Sequence, residues 1–125
     1  MEFKYYLKED LIPFSGFNIA RSSMPQIHST DKFVSYLEKQ GIEIVKGKEI
    51  PSKFKPLQKD FDQEKVNKIA SELSKASKPI LVSNDLFVID GHHRFFAHSD
   101  TNTPINYIMV KIPVTQLLKL AIQYT

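Results

Sequence analysis

The chain has 125 residues, 42% of them hydrophobic, and no cysteine. That is one domain of ordinary size with enough apolar mass for a core, and it excludes disulfides, zinc–thiolate centres and thiol nucleophiles. The net charge of +3 and the pI near 9.0 permit nucleic acid or phosphate ligands without demanding them. No apolar run approaches the roughly 20 residues that span a bilayer. Met1 to Tyr6 has neither the apolar core nor the cleavage site of a signal peptide. The expectation is a cytoplasmic protein without membrane contact.

Residues 1–28 show little periodicity, with Pro13 and Gly16 interrupting their apolar positions. A short strand or loop docked on the core is expected there. Arg21 to Ile27 reads as a polar loop, in which Arg21 and Gln26 are candidate substrate contacts. Ser29 or Thr30 caps a helix over about 31–40, with Phe33, Val34 and Leu37 as its apolar stripe and Gly41 beyond its end. Ile42 to Val45 reads as a strand, Gly47-Lys48 as a turn, and Ile50 to Phe54 as a further extended piece.

Phe61 to about Ala76 carries the best helical pattern, because Val66, Ile69, Ala70 and Leu73 recur at i, i+3, i+4 and i+7. Asp62 is its N-cap, and Phe61 and Val66 occupy the hydrophobic-staple positions. Pro79 opens a strand, Ile80 to Val82, which Asn84-Asp85 turns into a second one, Leu86 to Ile89. Ile105 to Ile112 is the last strand, and Thr115 caps a final helix that buries Leu117, Leu118 and Ala121. The class is α/β (α+β): a single domain, 1–125, with a small mixed sheet and packed helices. Residues 1–41 read as an N-terminal extension with a loop and a helix, and 42–125 as the core.

The chemistry concentrates in Asp90-Gly91-His92-His93-Arg94, between an apolar strand and Phe95-Phe96-Ala97. The segment after it does not alternate, so the five residues form a strand-to-helix corner at a sheet edge. Open α/β sheets place ligands at such corners. Asp90 is placed to cap the helix, and Gly91 to let the backbone turn or approach a ligand. His92, His93 and Arg94 fall in the first turn, where N–H groups and the helix dipole favour an anion. Arginine suits phosphate because its planar fork meets two oxygens at once. The chain has fifteen lysines and only two arginines, and three of its four histidines lie between positions 92 and 98. Adjacent side chains on a helix point about 100° apart, so His92 and His93 are poorly placed to share a zinc ion.

The stretch from Pro56 to His98 resembles the ParB/sulfiredoxin superfamily. The shared layout is Pro-x-Gln (Pro56, Gln58), a helix, a Pro-Ile-x-Val strand (Pro79 to Val82), a second strand, and a Gly-x-x-Arg corner (Gly91 to Arg94). The catalytic cysteine of sulfiredoxins has no counterpart here. Partition-type members carry an acidic residue after the glycine, where this chain has His92, and a helical DNA-binding region downstream. Asp-Gly-His-x-Arg looks most like the free-serine-kinase branch and the short ParB-like proteins of phages, and Arg21 to Ile27 also looks like the latter.

The resemblance implies a corner that binds nucleotide phosphates through Gly91, His92, His93 and Arg94, with Gln58 nearby. No Walker A loop occurs. The expected activity is ATP-dependent phosphoryl transfer to a hydroxyl on a small molecule or a modified DNA base. Asp90 and His92 are the catalytic candidates, and Asp90 is also a Mg²⁺ candidate. The alternative is a ParB-like DNA-binding protein or nuclease without kinase activity.

Overall fold

The computed structural model describes residues 5–7, 12–14, 24–25, 27–58, 61–73 and 78–124. Arg21 and Gln26 lie outside them. The fold is mixed α+β. Strands β1 (Tyr5–Leu7) and β2 (Ile12–Phe14) pair antiparallel as a separate hairpin. The main sheet holds β3 (Ile44–Glu49), β4 (Lys55–Pro56), β5 (Ile80–Ser83), β6 (Phe87–Asp90) and β7 (Ile105–Val110) in the order β3-β7-β5-β6-β4. The β3–β7 and β5–β6 pairs are antiparallel, and β5–β7 and β4–β6 are parallel. The helices are α1 (Thr30–Lys39), α2 (Gln63–Ser71), α3 (His92–Thr101) and α4 (Val114–Tyr124).

Alternation along the strands divides the core between two faces. Leu81, Phe87, Ile89, Ile108 and Val110 pack with α1 and α4. Ile80, Val82, Val88 and Ile105 pack with Phe95 of α3. Helix α1 forms as its apolar spacing predicts, and Phe33, Val34 and Leu37 are buried. They belong to the same core as α4, so α1 is one wall of the domain.

Four sequence-based expectations need correction. Gly47-Lys48 is not a turn but lies inside β3. Gly47 faces Tyr107 on the partner strand, and a Cβ there would stand 2.5 Å from the Tyr107 Oη. Pro51–Lys53 is a single 3-10 turn, not extended chain. Helix α4 begins at Val114, so Thr115 is inside it; the carboxylate of Asp85 accepts from the Val114 N–H at 3.0 Å. Asp62 does cap α2, accepting from Glu64 and Lys65, but that helix ends at Ser71. The ring of Phe61 packs tilted against Phe96 of α3, with centroids 4.4 Å apart.

Among the described residues, no helix is long and apolar enough to cross a membrane.

Candidate functional site

The corner is built where β6 ends, one strand in from the edge of the sheet. The β5–β6 register determines where Asp90 points. Val82 pairs with Val88, but Leu81 pairs with Asp90, so β6 holds one extra residue, Ile89. Such a bulge re-aims the side chains beyond it. Regular pairing would set Asp90 opposite Ile80, on the α3 face. The shift sets it opposite Leu81, on the face covered by α1.

Asp90 therefore does not cap α3, which corrects the sequence expectation. Gly91 is the N-cap residue, left-handed at φ 90° and ψ 30°, and its side-chain-free position offers no capping oxygen. Asp90 reaches α1 instead. Its Oδ2 accepts from the Thr30 hydroxyl at 3.1 Å, across 60 residues of sequence. The α1 cap is Ser29, whose hydroxyl accepts from the Lys32 N–H.

Arg94 lies one helical turn from Asp90, with Nη2 at 3.8 Å from Oδ2. Nη2 also donates to the Pro79 carbonyl at 3.1 Å. Its buried Nε has no hydrogen-bond partner among the described residues. Burial pulls the guanidinium pKa below its ordinary value, and Asp90 opposes that shift. Arginine still stays protonated, so the corner holds a partly desolvated cation with an unmatched donor.

The two histidines join the corner to the chain ahead of α2. His92 is buried, and its Nε2 accepts from the Leu57 N–H at 3.1 Å and the Gln58 N–H at 3.2 Å. Burial, and then the neighbouring His93, lower its pKa to about 3. At neutral pH it is an uncharged acceptor, with its proton on Nδ1. Nε2 is thus unavailable to donate to phosphate or to relay a proton. His93 Nε2 accepts from the Asp62 N–H at 3.0 Å. The two imidazoles hold Leu57, Gln58 and Asp62 against the start of α3. Gln58 is buried beside them, as its expected place near the corner requires.

Two clefts open on the corner. One, of about 230 Å³, lies on the α3 side, against Gln58, Lys65, Gly91 and His93. The other, of about 420 Å³, lies on the α1 side, against His28, Thr30, Asp31 and Lys78. Asp90 and Arg94 line both. Lys65, Lys78 and Asp31 have no distinctive motif in the sequence. Thr30 reads there only as a cap, and nothing local links it to position 90. Among the described residues, no group of three or more His, Asp or Glu side chains is placed to hold a metal ion.

Comparisons with protein-family models, curated proteins and solved structures find no match.

Proposed function

We propose that this chain is a ParB/sulfiredoxin-like phosphotransferase that moves the terminal phosphoryl group of ATP to a hydroxyl, on a small molecule or a modified DNA base. The observation that carries the reading is Arg94. It is a partly buried cation whose buried Nε is an unmatched donor among the described residues, at the start of a helix, on the wall shared by two clefts. A helix start and a guanidinium both favour phosphate.

The α3-side cleft receives the phosphates. Its volume of about 230 Å³ suits a phosphate chain and falls below the roughly 300–1,000 Å³ of clefts that enclose a whole drug-sized ligand. Gly91 brings the backbone close, and Lys65 adds a second cation. Phosphoryl transfer depends mainly on positioning and charge stabilisation, so these groups serve the chemistry directly. Asp90 takes the proton of the acceptor hydroxyl. Asp90 is the carboxylate of this cleft that would hold a Mg²⁺ ion, which would neutralise phosphate charge. His92 is left a structural role.

The test is calorimetry with ATP, ADP and inorganic phosphate, with and without Mg²⁺. ADP release is then followed over a panel of hydroxyl acceptors that includes hydroxymethylated DNA. Nucleotide binding and acceptor-dependent ADP release are expected. DNA nicking without nucleotide, and no nucleotide binding, would replace this reading with the DNA-binding or nuclease one.

A further inference from the structure

The clefts share Asp90 and Arg94, yet only one of them contains Thr30, whose hydroxyl donates to Asp90. We infer that Thr30 is the positioning residue for Asp90, and that the phosphate acceptor enters from the α1-side cleft. The inference rests on the phosphotransferase reading.

Thr30 is the first residue of α1, and that helix is anchored by buried Phe33, Val34 and Leu37. Its hydroxyl is therefore offered from a rigid support. It donates to Oδ2 of Asp90 at 3.1 Å, the same oxygen that Arg94 approaches at 3.8 Å. Both restraints fall on one oxygen. Oδ1 has no partner among the described residues. A carboxylate gripped by one oxygen presents the other in a fixed direction, which is what a base needs for a productive geometry.

Direction follows from the bulge in β6, which turns Asp90 toward the α1 face. Thr30 lines the α1-side cleft and not the α3-side one. An acceptor lying beside Thr30 thus reaches Asp90 from one cleft while the phosphates occupy the other, and Asp90 and Arg94 stand on the wall between them. The acceptor O–H gives its proton to Oδ1, and its oxygen bonds to the terminal phosphorus. The bond from that phosphorus to the bridging oxygen breaks, and ADP leaves with the electron pair. Asp90 then returns the proton to solvent.

The experiment compares the full-length wild type with Thr30→Val, which keeps the shape and loses the hydroxyl, and Thr30→Ser, which restores it. MgATP is the donor, and the acceptor is whichever hydroxyl compound gives the fastest ADP release with the wild type. Thr30→Val should lower kcat roughly tenfold or more, the scale of a misplaced reacting group, with ATP affinity unchanged. Thr30→Ser should recover most of the loss. A crystal structure of Thr30→Val should show the Asp90 carboxylate turned, closing its 3.8 Å gap to Arg94 to hydrogen-bond distance. If Thr30→Val turns over like the wild type, keeps the carboxylate in place, or is matched in its defect by Thr30→Ser, the positioning role is wrong. A wild type that releases no ADP with any acceptor overturns the phosphotransferase reading and this role with it. An active wild type with an indifferent Thr30→Val overturns this role alone.

Discussion

The guanidinium of Arg94 lies over Gly91, so close that a Cβ on the glycine would stand 2.7 Å from Nη2. The same Cβ would stand 3.0 Å from the Ile80 Cγ2. Gly91 also has φ +90°, a conformation that side chains disfavour. The glycine thus makes the turn and gives the arginine its seat. Gly91→Ala should cost about 1–2 kcal/mol from backbone conformation alone, and more from displaced Arg94. Urea denaturation measures it. A variant as stable as the parent, with phosphate affinity intact, would show that the close approach does not matter.

Arg94→Ala should fold, since the side chain is on a cleft wall and, among the described residues, donates only to the Pro79 carbonyl and toward Asp90. Nucleotide affinity should fall by about 1.5–3 kcal/mol, the usual scale for hydrogen bonds to charged groups. Arg94→Lys should recover little of it, because an ammonium lacks the planar fork. Calorimetry decides the matter; equal ATP affinity in all three proteins would remove the phosphate corner.

Asp90→Asn separates chemistry from structure. Asn keeps an oxygen for the Thr30 hydroxyl, and no helix cap is lost because Asp90 caps none. The 3.8 Å, partly exposed pair with Arg94 is worth at most about 1 kcal/mol. Melting should therefore shift little, while turnover should fall by roughly 10²–10⁴, the contribution of a positioned base. Full turnover in this variant would leave Asp90 only its contacts.

His92 gives the stability a pH dependence with a definite sign. Its folded pKa is lowered from 6.5 to about 3. Between those values the unfolded chain binds a proton that the folded one refuses. Its contribution is therefore complete above pH 6.5 and is lost as pH falls toward 3, with a slope of up to about 1.4 kcal/mol per pH unit. His92→Ala should remove that slope. It should also cost roughly 1–3 kcal/mol for each buried amide left without an acceptor, at Leu57 and Gln58. Denaturation at pH 5 and pH 7.5 checks both effects.

Local patterns in the sequence reach far into this fold. The stripe of Phe33, Val34 and Leu37, the Asp62 cap and the strand–turn–strand leading to Gly91 all stand where periodicity and turn chemistry put them. What escapes is whatever a distant segment decides. Gly47 signals a turn by itself, and only Tyr107 on the neighbouring strand explains a glycine inside β3. Asp85 reads as turn chemistry, but its carboxylate also serves the start of α4, 29 residues on. Asp90 looks like a cap because Asp before a helix usually is one. The bulge that turns it toward Thr30 is a property of strand pairing. His92 looks catalytic from its place in the Asp-Gly-His-His-Arg motif, whereas its partners are amides 34 and 35 residues earlier.

The Thr30–Asp90 hydrogen bond closes a loop of 60 residues, and that bears on how the site comes into being. The β5–β6 hairpin and α3 are contiguous and can form from nearby contacts alone. The walls around them cannot, because bringing distant chain together costs loop entropy before any contact rewards it. A peptide of residues 78–104 would carry the whole Asp-Gly-His-His-Arg motif and still lack both clefts. Ligand binding should therefore be absent in that peptide and return only when the whole domain folds.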